Sequence, residues 1–292
     1  MSSSDGARSV GITQDLMARR KEPTRAGLGA AVSASEALLG HLRGLSTGLP
    51  GPDRALLTLL AERVRRGDLP PRGPADPARA RHLAERGRLP SLDRAARVDP
   101  ELWGWAAALR SPAELVVLDD AELAHARLAG LAAIDLADAA GVSPVEAFLG
   151  AALHDLGRPF LRGLAASLAR PPRPATVQQL AEGLHPAVGS VLLERWGLPA
   201  AACLAVEHHH QPAPAIPRSI RALGRVVQAA HHIAELAAAP GGPETTGPSA
   251  RSLEAHLVAL GVEPDLALLA EVFDEHRTWR AVDDAFVGSA PP

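Results

Sequence analysis

The residues best suited to chemistry in this chain are a series of histidines with one aspartate among them. They are His125, the pair His154-Asp155 in ALHDLG, His185, the run His208-His209-His210 in EHHHQP, and His231 with His232. Imidazole nitrogens with one carboxylate suit zinc, iron or manganese, and an aspartate can bridge two ions about 3.5 to 4 Å apart in two-metal hydrolytic sites. A lone histidine on an apolar face is more often a hydrogen-bonded core residue, and the HHH run alone reads as a helix end favoured by the dipole. The order of the series argues for more. One His, then His-Asp, then His, then paired His fall on separate helical segments, roughly a helix and its return apart.

Those segments must place the side chains. Apolar periodicity predicts helices nearly throughout, and the one β-like run, Leu115 to Leu118, is too short to build a sheet. The expected fold is all-α. The segment from about Asp119 to Ala140 carries His125 on the same stripe as Leu128, Ala129, Ala132 and Leu136, pointing it at the core. SPVEAFLGAALHDLG ends in His154 and Asp155, a terminus where the backbone can turn both toward one point. His185-Pro186 is expected at the start of a helix, the HHH run at the end of one beginning near Pro199, and His231 and His232 inside RVVQAAHHIAEL. Asp76-Pro77, Asp99-Pro100 and Ser143-Pro144 read as helix starts; Ser143 with Glu146 and Thr176 with Gln179 have capping-box spacing. Gly67, Gly87, Gly141 and Gly197 read as helix stops. His41, His82, His256 and His276 sit among Arg and Glu and are expected to be solvated.

With 292 residues, 47% hydrophobic and 22% charged, the chain can bury a substantial core. A formal net charge of -3 speaks against a broad basic face, so nucleic acid is not an expected partner. The single cysteine, Cys203, lies in an apolar run and reads as a small buried thiol in a reducing, cytoplasmic setting. No segment has the length and apolarity of a signal peptide or a membrane span, and no membrane association is expected. Leu69 to Pro77, Arg170 to Pro174 and Pro240 to Ser249 break the helical pattern by composition. The expected organisation is an N-terminal helical segment over 1–67, its first 25 or so residues loose, a main helical body over 68–240, and closing helices over 250–292 packed on that body.

Several stretches carry a resemblance to a known family: LPP at Leu69 to Pro71, LPSLDRAARVDPEL, VEAFLGAALHDLGRPFL, and above all HPAVGSVLLERWGLPAAACLAVEHHHQP. Over roughly residues 69 to 240 the chain resembles the HD superfamily of metal-dependent phosphohydrolases, most closely its HDOD (HD-related output domain) branch. The resemblance implies a multi-helix HD/HDOD-like bundle and a regulatory, signal-transducing role in bacteria, with a protein partner or a small phosphorylated ligand. It also implies one or two divalent ions (Fe, Mn or Zn) on His125, His154, Asp155, His185, His209, His210 and His231. Many members of this branch have lost metal ligands, whereas this chain retains most of the positions. His231 stands where the superfamily usually has a final aspartate, and Arg158 where a lysine often follows His-Asp-x-Gly. Ala-Pro-Ala-Ile-Pro follows His-His-Gln-Pro in place of a Gly-Tyr-Pro signature, which disfavours cyclic di-GMP hydrolysis, and the usual asparagine-serine segment is not visible. As an enzyme the chain would be a phosphohydrolase acting on a nucleotide or other phosphoester, with Asp155 at the ions and Arg158 steadying the phosphate. A di-iron oxygenase is a weaker alternative that no residue selects.

Overall fold

The computed structural model describes residues 34–45, 51–69, 116, 118–238 and 248–261. Nine α-helices lie among the described residues: α1 Ala34–Leu45, α2 Gly51–Arg66, α3 Asp120–Ala140, α4 Pro144–Leu153, α5 Gly157–Ala166, α6 Pro174–Arg195, α7 Ala200–Glu207, α8 Arg221–Ala238 and α9 Pro248–Ala259. Two 3-10 turns, Ala213–Ala215 and Arg218–Ile220, link α7 to α8. The fold is all-α. Val116, inside the β-like run, is a buried, isolated bridge residue, and no strand occurs among the described residues.

Local chemistry sets the helix ends. Asp119 caps α3 in a reciprocal box, accepting from the Glu122 backbone N–H at 2.8 Å while the Glu122 carboxylate accepts from the Asp119 N–H at 3.1 Å. The Ser143 hydroxyl accepts from the Glu146 N–H, and Pro144 occupies the first turn of α4. Gly67, Gly141 and Gly197 take positive φ at helix ends, as the sequence predicts; Gly87 lies outside the described residues. The Thr176 expectation is corrected. α6 starts at Pro174 after Arg173, with no side-chain cap, because Pro174 already supplies a pre-formed first turn.

α4 lies among α3, α7 and α8, while α6 packs on α5, α7 and α1. One apolar cluster joins Leu38, Leu56 and Leu60 of the first two helices to Phe148, Phe160 and Leu192. A second, between α3, α4, α7, α8 and α9, is rich in small residues such as Ala129, Ala133, Ala151, Ala205 and Ala230. Short side chains let helix axes approach closely, and here they do so where α3, α4, α7 and α8 meet. Cys203 is buried as expected, with its thiol pushed up to about 12 by burial, and Trp196 packs partly buried against the first cluster. Residues 1–33, 46–50, 70–115, 117, 239–247 and 262–292 lie outside the described residues, and with them the expectations made for the first 25 or so residues, for His82 and His276, and for most of the candidate linker, whose last two residues, Pro248 and Ser249, open α9. Among the described residues, no helix is long and apolar enough to cross a membrane.

Candidate metal centre

Five helices or helix ends deliver the candidate side chains. His125 comes from the second turn of α3. His154 caps the C-terminus of α4, and Asp155 follows it in the turn before α5. His208 caps α7, so His209 and His210 lie just beyond it, and His231 lies inside α8. His185 corrects the sequence expectation: it sits in the middle of α6, which runs through Pro186. A proline inside a helix removes the N–H that would bond the carbonyl four residues back, here that of Glu182. The His185 Nδ1–H occupies that carbonyl instead, at 3.0 Å, together with the Ala181 carbonyl at 3.0 Å. The His-Pro word thus orients an imidazole without breaking the helix.

Two groups form around Asp155. His125, His154, Asp155 and His231 present one ligand atom each toward a common point; Asp155, His185, His209 and His210 do so at a second, with the atoms of each group within 4.8 Å of one another. In the first, His154 Nε2 lies 2.8 Å from His231 Nδ1 and 3.3 Å from His125 Nε2. In the second, His185 Nε2 lies 3.3 Å from His209 Nε2 and 3.1 Å from His210 Nε2. Asp155 divides its oxygens between them: Oδ2 is 3.4 Å from His154 Nε2, and Oδ1 is 3.2 Å from His185 Nε2. His154, His185, His209 and His231 are buried, whereas His210 is exposed at the edge. Arg158 Nη1 stands 3.3 Å from Asp155 Oδ2.

Close approach of the helices depends on one missing side chain. A Cβ on Gly157 would collide with the backbone of His185, so the α5 start can lie against α6 only because residue 157 is glycine.

The electrostatics fit cations at these two points. Burial, with the charges of His231 and Arg158 adding and those of Asp155 and Glu235 opposing, lowers His125 to about 4. Burial also pushes His154 and His209 well below the usual imidazole range and His210 to about 4. These rings are therefore neutral. His154 Nδ1–H donates to the Ala151 carbonyl at 2.6 Å and His209 Nδ1–H to the Val206 carbonyl at 2.6 Å, both on the last turn of a helix where carbonyls lack intrahelical donors. Their inward Nε2 atoms then carry lone pairs. Lone pairs facing one another at about 3 Å repel unless a cation lies between them. Burial works against the Asp155 charge but is outweighed, and the carboxyl is held well below the usual carboxylate range; with the rings neutral, the standing positive charge beside it is the Arg158 guanidinium. Its Oδ1 is buried and accepts no hydrogen bond, which suits an oxygen that faces a metal ion.

All seven residues expected at the ions are thus brought together, with Arg158 beside them. Two features were missed. Glu235, four residues after His231, accepts from its Nε2–H at 3.2 Å; an i, i+4 glutamate on the same helix face was the available signal. Hydrogen bonds from His231 and His232 hold the Glu235 carboxyl well below its ordinary range despite partial burial. The expectation that His256 is solvated is corrected: it is half-buried because α9 packs on α8, and it stacks on His232 with ring centroids 5.6 Å apart. His41 is exposed as expected.

Residues 108–212 match the family model of the HDOD domain, a narrower span than the resemblance read from the sequence. His125, His154, Asp155, His185, His209 and His210 fall inside that span and His231 beyond it. No curated protein and no solved structure matches the chain.

Proposed function

We propose that this chain, which carries an HDOD domain over residues 108–212, is a bacterial regulatory protein whose helical body is organised around a pair of divalent transition-metal ions. One observation carries the metal reading: neutral, outwardly hydrogen-bonded imidazoles turn their lone pairs inward around a carboxylate that offers one oxygen to each group. The donor set suits Fe, Mn or Zn. The HDOD match supports the signalling role, in which the domain engages a protein partner or a small phosphorylated ligand.

A second reading, a phosphohydrolase acting on a nucleotide or other phosphoester, is favoured by Arg158 and by the exposed edge at His210. When bound, a metal pair of this kind supplies Lewis acidity and an acidified water. Arg158 would hold a phosphate oxygen by its guanidinium, whose Nε lacks a hydrogen-bond partner among the described residues. Asp155 would keep the two groups in register, and the buried rings of His154 and His209 would exclude water from the inner side.

Elemental analysis of protein purified without a metal-affinity tag tests the site. Two equivalents of transition metal are expected after reconstitution; less than a tenth of an equivalent, before and after, rejects it. Hydrolysis of an activated phosphodiester by the loaded protein, lost in Arg158→Ala with both ions kept, would select the enzyme. No turnover with both ions bound would leave the regulatory reading standing.

A further inference from the structure

His231 occupies the position at which a carboxylate was expected, which removes a negative charge from the first group of ligands. The structure shows where a charge returns. His154, His185 and His209 are each oriented by backbone carbonyls, through hydrogen bonds from Nδ1–H to Ala151, to Ala181 and Glu182, and to Val206. His231 differs: its Nε2–H faces a side-chain carboxylate, Glu235 Oε1, at 3.2 Å, leaving Nδ1 inward beside His154 and His125. The other oxygen, Oε2, lies 3.1 Å from His232 Nδ1, so the carboxylate is held at both ends.

We propose that Glu235 is a positioning residue that returns, through His231, the negative charge missing from the ion site of His125, His154 and His231. The inference rests on the metal reading given above. An imidazole that donates its outer N–H to a carboxylate is fixed in one tautomer and becomes a stronger donor at its inner nitrogen, which a neutral carbonyl achieves less well. Helical spacing makes the pair possible, since residues four apart share a face. His231, His232 and Glu235 also form a cluster that could hold an ion by itself. We take Glu235 as the outer partner because the cluster draws on one helix alone and because His231 Nδ1 already points at the first group. Its asymmetry is the consequence: only the ion on the His231 side depends on Glu235.

The test is cobalt(II) titration of the full-length, tag-free protein, read by visible absorption and elemental analysis. Wild-type protein should take two ions. Glu235→Ala should bind the ion on the His231 side about 10- to 100-fold more weakly and with an altered spectrum, while the ion on the His185 side keeps its affinity. Glu235→Gln, which retains an acceptor but no charge, should fall between, and it serves as the deciding variant should the alanine protein fail to fold. Two ions bound with unchanged affinity and spectrum in both variants overturns this inference and leaves the metal site intact. A third equivalent in wild type that Glu235→Ala loses also overturns it, since Glu235 would then be a ligand. Wild-type protein that takes up no cobalt overturns the inference and the site together.

Discussion

At the scale of single residues, Asp155 is the hinge of the site because its two oxygens face different groups. Asp155→Asn keeps the shape and removes the charge, so it should lose both ions, whereas His154→Ala and His210→Ala should each chiefly weaken one. Metal content per chain reads this directly, with exposed His41→Ala as a control that retains both; equal retention by all four variants would show that the site is misplaced. His256 gives a prediction about acid. Burial, with His232 and Arg225 nearby, lowers it to about 4, so the unfolded chain takes up a proton first as pH falls below the ordinary value of 6.5. Its contribution is therefore full above about 6.5 and is lost as pH drops toward 4. Denaturant unfolding across that window should be less pH-dependent in His256→Gln than in wild type, and parallel curves would refute the assignment. His125, His154 and the later histidines were legible in the sequence by type and order. Glu235 was not singled out, because a glutamate at i+4 on a helix is common and acquires meaning only once His231 is known to face inward.

At the scale of elements, the site depends on where helices start, stop and touch. Gly157→Ala places a Cβ against the His185 backbone, which cannot rotate away as a side chain would. A cost of at least the 1 to 3 kcal/mol typical of overpacking is expected, together with weaker binding by the His185 group; thermal melting and metal content that both match wild type would contradict it. Asp119→Ala provides the contrast. Losing the cap of α3 should cost about 1 kcal/mol and leave the metal content unchanged, because the box lies at the helix start and the ligand one turn beyond. Helix stops at Gly67, Gly141 and Gly197 were legible because a left-handed residue is a local requirement. The course of α6 through Pro186 was not, since a His-Pro word looks like a helix start until the imidazole is seen to occupy the carbonyls of the preceding turn.

At the scale of the molecule, ions shared by α3, α4, α6, α7 and α8 would bind the folded chain and not the unfolded one. Metal at about one hundred times its dissociation constant should therefore add about 2.7 kcal/mol to stability for each ion bound, and a chelator should remove it. Melting temperature with and without added ion checks this, and a melting curve indifferent to both would count against a site that joins five helices. The sequence by itself determined the helical class, several helix ends and the set of metal-suited residues, because periodicity, caps and residue type act locally. The convergence was decided only by tertiary structure. Which face of each ring turns inward, that Asp155 splits its oxygens, that Gly157 admits the His185 backbone and that Glu235 stands behind His231 all depend on contacts between helices or across turns. Such contacts exist only after small side chains have let those helices close on one another.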